Sequence, residues 1–246
     1  MRQNVTCGTG SSRSHPEIGA AVENDVLRQG PLFNALDDEA ASALRASMTE
    51  TELRRGETLF HEGDSGDKLY IVTEGKVKLG RTSSDGRENL LAILGPGQMF
   101  GELSLFDPGP RSATVTAVTD VVFLSLSHED LLQWLEGRPA VARGLLLQLA
   151  SRLRKANDVA ADLVFSDVPG RVAKALLDLA DRFGRTADDG VHVHHDLTQE
   201  ELAQLVGASR ETVNKALADF ASRGWLRLEP RSVVILDIER MRRRAR

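Results

Sequence analysis

Apolar residues recur in steps of 3, 4, 3, 4 and 3 at Leu146, Leu149, Leu153, Ala156, Ala160 and Leu163. This is the a/d seam of a heptad repeat. With Arg152, Arg154, Lys155 and Asp158 flanking it, the seam favours two helices paired in a parallel homodimer over one helix packed on its own domain. It predicts a dimerisation helix over residues 139–165. Upstream the period changes. Short alternating runs at 58–61, 68–72, 76–79, 90–94, 114–118 and 121–126 are punctuated by Asp85-Gly86 and Gly95-Pro96-Gly97, and ten of the 21 glycines lie between Leu53 and Arg111. Many short strands with regular turns predict a β-roll or barrel over residues 23–138. A short helix opens it, with Asp37, Asp38 and Glu39 at its start.

Residues 166–170, Ser-Asp-Val-Pro-Gly, break the helical period and predict a hinge. Beyond them Val172, Leu176, Leu177, Leu179 and Ala180 mark one side of a helix ending near Phe183, and a short strand follows around Val191-His192-Val193. Thr198 and Glu201 make a capping box ahead of a helix carrying Leu202, Ala203 and Leu205. Gly207 supplies the tight turn, since a positive φ is cheapest for glycine. Ser209 then caps a second helix whose buried face is Val213, Ala216, Leu217 and Phe220. Two helices joined at Gly207, with small Ala203 at their crossing, predict a helix-turn-helix. The runs 223–228 and 233–236, turning at Glu229-Pro230-Arg231-Ser232, add a β-hairpin wing. The expected fold class is therefore α+β, a β-roll, a long dimerisation helix and a winged helix-turn-helix over residues 171–246. Residues 1–22 carry no apolar period and read as a flexible arm. Cys7 in that arm is expected to be an idle exposed thiol.

Composition narrows the function classes. A single cysteine excludes a disulfide framework, an all-cysteine zinc site and a four-cysteine iron–sulfur cluster within one chain. No apolar run approaches the ~20 residues of a membrane helix, and the N-terminus lacks the apolar core of a signal peptide, so a cytoplasmic protein without a membrane partner is expected. The net charge of −5 taken alone argues against a nucleic-acid partner. Its distribution argues less strongly: residues 170–246 hold 14 Lys or Arg and 12 Asp or Glu, and residues 1–169 hold 17 and 24. Five of the last seven residues are Arg (Arg240, Arg242, Arg243, Arg244, Arg246); they either touch flanking phosphate or stay solvated.

The exposed face of the second helix starts Ser209, Arg210, Glu211, Asn214, Lys215. In a major groove its N-terminal residues would meet base edges, where Arg offers a bidentate fork to guanine and Glu accepts from cytosine. Near the end of the glycine-rich region, Gly101-Glu102-Leu103-Ser104 starts a short helical turn, and Arg111 and Ser112 follow a Pro-Gly-Pro loop. A guanidinium, a hydroxyl and free amides around one spot suit a phosphate. A lone carboxylate beside them suits a sugar hydroxyl. An ion pair of Arg111 with Glu102 or Asp107 in an empty roll is the alternative.

Ser209-Arg210-Glu211-Thr212-Val213 inside a helix-turn-helix, preceded by a heptad helix and a Gly-rich roll, resembles the CRP/FNR family of transcription regulators over roughly residues 27–240. The segments 101–111, GELSLFDPGPR, and 167–172, DVPGRV, are most similar to its actinobacterial cyclic-AMP receptors. The resemblance implies no enzyme. It implies a cyclic-AMP-responsive homodimer acting on a palindromic, TGTGA-like double-stranded DNA site, with RNA polymerase as a further partner if it activates. It implies that Gly101, Glu102, Leu103, Arg111 and Ser112 hold the ligand, Glu102 at the ribose 2′-hydroxyl and Arg111 and Ser112 at the cyclic phosphate. Arg152 and Asn157 would lie at the adenine. Arg210 would read a guanine and Glu211 a cytosine, with Thr198 and Ser209 at phosphates. Two positions depart from the family pattern. Where the dimer helix usually offers Thr to the base, this chain has Ala156, which leaves discrimination against cyclic GMP open. Lys215 stands where enteric members have Arg, and Lys lacks the bidentate fork. A same-shaped regulator that needs no ligand, or takes a cyclic dinucleotide, is the alternative. A cupin-like metal enzyme would need several ligands inside the roll, where His61 is the one histidine between Leu53 and Arg111. No His or Cys there or in the dimer helix is an obvious haem ligand, and the run His192-Val193-His194-His195 is expected on a solvated wing or edge strand.

Overall fold

A computed structural model describes residues 26–28, 30, 33, 36–106, 109–136 and 138–246; Cys7, the rest of the arm and Asp107 lie outside them. Among the described residues the chain runs α1 (Asp38–Ser47), β1 (Thr49–Leu53), β2 (Thr58–Phe60), β3 (Lys68–Glu74), β4 (Val77–Thr82), β5 (Glu88–Leu94) and β6 (Met99–Phe100). It continues α2 (Leu103–Phe106), β7 (Thr114–Ala117), β8 (Val121–Ser127), α3 (His128–Leu135) and α4 (Pro139–Phe165). Then come α5 (Val168–Phe183), β9 (Gly184–Ala187), β10 (Gly190–Val193), α6 (Gln199–Val206), α7 (Arg210–Ser222), β11 (Leu226–Glu229), β12 (Ser232–Ile235) and α8 (Ile238–Arg244).

Two antiparallel four-stranded sheets, β1-β8-β3-β6 and β2-β7-β4-β5, form the roll. Alternation sorts their side chains. In β3 and β8, Val72, Val121 and Phe123 point inward to meet Val77, Leu94, Phe100 and Val115, while Leu69, Ile71, Leu124 and Leu126 point out. The outward face would be insoluble if left bare. It is covered by Leu44 of α1, Leu131 and Trp134 of α3, and Val141 and Leu145 at the start of α4. Burying aliphatic side chains of this size stabilises the fold by ~1.5–3 kcal/mol each.

The helix α4 therefore has two halves with different tasks. Pro139 begins it, where a missing N–H costs nothing. Its first turns are sunk in the roll, but beyond Leu145 the apolar seam faces solvent: Leu146 is 66 % exposed, Leu153 63 % and Leu163 54 %. An apolar stripe of that length on a 27-residue helix is uncommon on the surface of a single chain. The chain breaks for two residues only. Pro169 and Gly170, expected in the hinge, instead lie in the first turn of α5, which Asp167 caps by accepting the Gly170 N–H at 2.9 Å.

In the C-terminal part a third antiparallel sheet, β11-β12-β10-β9, packs on α5, α6 and α7. Leu90, Ile93 and Val118 of the roll belong to the same apolar cluster as Val172, Leu202 and Val206. At this seam Phe183 lies so close to Gly95 that a Cβ there would come within 2.4 Å of its ring. Lys76 pairs with Asp196 at 2.6 Å and Lys78 with Glu201 at 2.5 Å.

The histidine run departs from expectation. β10 is an inner strand, paired with β12 on one side and β9 on the other, and His195 is only 5 % exposed. Its Nδ1 accepts the Leu197 N–H at 3.1 Å. Burial drags the His195 pKa down to about 4, since charging it would desolvate an ion and forfeit that bond. The folded state thus takes up its proton at lower pH than the unfolded chain, whose value is 6.5. Stability is full above pH 6.5 and is lost as pH falls toward 4, by up to about 3 kcal/mol. Urea unfolding between pH 7 and pH 4.5 should show this slope, and His195→Gln should flatten it; equal slopes for both proteins would contradict the assignment.

Candidate functional site

Gly101 turns the chain between β6 and α2 with φ +81°, and a Cβ on it would lie 2.8 Å from Arg111 Nη1 and 3.0 Å from the Lys68 carbonyl. Only glycine lets that backbone approach the guanidinium. Arg111 is anchored through its own backbone. Its N–H donates to Asp64 O at 2.8 Å and its carbonyl accepts the Gly63 N–H at 2.9 Å. The Pro-Gly-Pro sequence before it suggests a superficial loop, but the Arg111 side chain turns inward and is 4 % exposed. Nη1 donates to Gly101 O at 2.9 Å, and the guanidinium carbon sits 4.3 Å from the centre of the Phe60 ring. Burial pulls its pKa below the ordinary arginine value, while Tyr70, Asp67, Glu102 and Asp64 oppose that shift.

Glu102 is fully buried. It pairs not with Arg111 but with Arg152 of α4, whose second amino group donates to Met99 O. One Glu102 oxygen is engaged this way; the other, Oε2, is buried without a hydrogen-bond partner. A buried carboxylate oxygen left unpaired costs ~1–3 kcal/mol or more, and it can accept a hydrogen bond from a donor that reaches it. Gly101, Glu102, Leu103, Arg111, Ser112 and Arg152 all line one pocket, closed on the apolar side by Phe60, Leu79, Phe100 and Val115. About 360 Å3 of unfilled space lies among these residues, with the open solvent at its mouth included. Ala156 and Asn157 are not among its lining residues and are exposed on α4.

The second candidate surface lies on α6 and α7. The Thr198 hydroxyl accepts the Glu201 N–H at 3.1 Å and the Glu201 carboxylate accepts the Thr198 N–H at 2.8 Å, which closes the capping box. Burial alone would raise the Glu201 carboxyl, but hydrogen bonds from Lys78 and Thr198 outweigh it and hold the pKa low. Gly207 makes the turn in the left-handed region, φ 68°. Ser209 caps α7 by accepting the Thr212 N–H. Val213, Ala216, Leu217 and Phe220 are buried, so the opposite face, Arg210, Glu211 and Lys215, is exposed. Glu211 and Lys215 stand one turn apart at 3.7 Å, and both side chains are exposed, at 84 % and 80 %.

Some contacts give no sequence signal. Phe60 on the pocket wall follows the alternation of its strand like any core residue. Arg171 donates to Ser166 O, Val206 O and Gly207 O, tying the two-residue break to the helix-turn-helix turn. Arg244, of the Arg-rich end, pairs with Asp167 at 2.6 Å and so supports the α5 cap. Among the described residues no group of three or more His, Cys, Asp or Glu could hold a metal ion, and no helix is long and apolar enough to cross a membrane.

Comparison with known proteins agrees with this division. Residues 50–138 match the cyclic nucleotide-binding domain family and residues 170–244 the Crp-like helix-turn-helix domain family. The chain is 55 % identical over 223 residues to the CRP-like cAMP-activated global transcriptional regulator of Mycobacterium tuberculosis, covering 91 % of this chain and all of that one. It is 40 % identical over 212 residues to the cyclic AMP receptor protein of Thermus thermophilus, covering 86 % and 94 %. Among solved structures it resembles the c-di-GMP responsive global regulator CLP of Xanthomonas campestris, with a TM-score of 0.71, 27 % identity and coverage of 81 % and 99 %. These relatives are transcription regulators rather than enzymes. By its two matched domains and its identity to them along nearly the whole length, the chain belongs to the CRP/FNR family of transcription regulators.

Proposed function

We propose that this protein is a cytoplasmic homodimer that binds cyclic AMP in the β-roll and, so loaded, reads a palindromic TGTGA-like DNA site. The observation that carries the ligand reading is the buried, unpartnered Oε2 of Glu102, a residue that lines one pocket together with Arg111 and Ser112. A carboxylate repels phosphate but accepts from a ribose hydroxyl, and the guanidinium takes the cyclic phosphate. The nucleotide supplies a hydroxyl for Glu102 and a negative charge for Arg111. Arg152 joins Glu102 to α4, so a ligand that draws on Glu102 acts on the helix expected to pair with its copy. Asn157, exposed on the same helix, would reach the adenine from the partner subunit.

The DNA reading rests on the uncovered face of α7. One recognition helix per subunit implies two half-sites about one helical turn apart. Thr198 and Ser209, exposed at the starts of α6 and α7, suit phosphate contacts, and a chain that activates transcription would meet RNA polymerase nearby. Selection of bound sequences from a random pool, at one fixed salt concentration with cyclic AMP present, should return a symmetric site. Arg210→Ala should cost ~1–3 kcal/mol per half-site and relax the preference at one guanine. Lys215→Arg should sharpen the inner position by restoring a bidentate fork. An asymmetric logo, or one unchanged by Arg210→Ala, would overturn this reading.

A further inference from the structure

The chain has eight Phe and one Tyr, and three of the former gather with Tyr70 beneath Arg111. Phe60 lies 5.9 Å from Tyr70 and 6.2 Å from Phe100, and Phe100 stacks on Tyr70 at 5.3 Å and meets Phe123 edge-on at 5.6 Å. Arg111 sits on the edge of this cluster, its guanidinium carbon 4.3 Å from the Phe60 centroid and 5.7 Å from that of Tyr70. Phe60 alone among these rings both lies within 5 Å of the guanidinium and lines the pocket.

A guanidinium directs all its hydrogen bonds in its own plane. A ring packed against the group restricts its rotation without supplying an acceptor atom of its own. Arg111 has a long, rotamer-rich side chain, and the Gly101 carbonyl fixes one of its amino groups. The ring face supplies a second restraint, of a kind a hydrogen bond cannot give. Its negative quadrupole also compensates charge at a site where burial has removed water.

We propose that Phe60 is a positioning residue for anion recognition: by packing its ring against Arg111 it holds the guanidinium ready for a phosphate. The proposal rests on the reading of Arg111 as the phosphate partner and names the residue that makes it competent before ligand arrives. Its consequence is thermodynamic. If this contact weakens, Arg111 populates other orientations in the free protein, and apparent affinity falls in proportion to the competent fraction.

Replacing Phe60 by Leu tests this only partly, because it also alters packing. Phenylalanines carrying one, two and three ring fluorines at position 60 keep the shape and progressively drain the ring face. Titration calorimetry with cyclic AMP should show affinity falling stepwise across the series, by about threefold to tenfold at three fluorines. Phe60→Trp, with a stronger ring face, should bind more tightly than Phe60→Leu by at least the same factor. Cyclic AMP binding that stays constant across the fluorinated series overturns this inference alone. A wild-type protein that binds no cyclic AMP overturns both this inference and the reading it rests on.

Discussion

Leu153→Glu should turn the protein into a monomer that no longer holds DNA specifically. Leu153 sits at an a position of the seam and is 63 % exposed on the single chain, so the substitution leaves the fold of one subunit untouched. In a parallel pair it sets two carboxylates against each other in an apolar contact, where an unpaired buried charge costs several kcal/mol. One subunit presents one recognition helix. Losing the second half-site removes about half of the specific binding energy, which at the ~10⁻⁸–10⁻¹¹ M typical of specific sites means a loss of several orders of magnitude. Sedimentation at micromolar concentration reads the first effect and DNA titration the second. A dimer that persists with Leu153→Glu would contradict the seam.

Arg111→Leu should abolish cyclic-nucleotide binding and also lower stability. The sequence alone suggests a superficial loop and no cost to folding. The buried side chain says otherwise, because its removal strips the Gly101 carbonyl of a donor and the Phe60 ring of its cation. A lost buried hydrogen bond costs ~1–3 kcal/mol, which a domain with two packed sheets tolerates. Binding suffers more. Charge-assisted hydrogen bonds to a phosphate contribute ~1.5–3 kcal/mol each, and losing two weakens affinity by roughly 10²–10⁴-fold. Circular dichroism should show a folded protein with a lower melting midpoint, and calorimetry with cyclic AMP should show no saturable heat. Unchanged affinity would place the ligand elsewhere.

What the sequence revealed depended on whether a residue's role was local. The capping box at Thr198 and Glu201, the Ser209 cap and the left-handed Gly207 are local chemistry, and each has the geometry its spacing predicts. Elements with little apolar signal escaped. β1, Thr-Glu-Thr-Glu-Leu, pairs among the described residues only with β8 and is half-buried at best; β9, Gly-Arg-Thr-Ala, is largely exposed. α3 and α8 were missed although Ser127 and Asp237 cap them. In the site, spacing allowed an Arg111–Glu102 pair, but Glu102 reaches across about fifty residues to Arg152. The approach of Phe183 to Gly95 likewise depends on α5 and the roll coming together, and no window of sequence contains both partners.

The most direct test of the account is the affinity of the wild-type protein for a selected palindromic site, measured by fluorescence anisotropy at fixed salt with and without cyclic AMP, beside Arg111→Leu. The account predicts that cyclic AMP tightens binding by the wild type and leaves Arg111→Leu unmoved. Equal DNA affinity of the wild type in both conditions would contradict it.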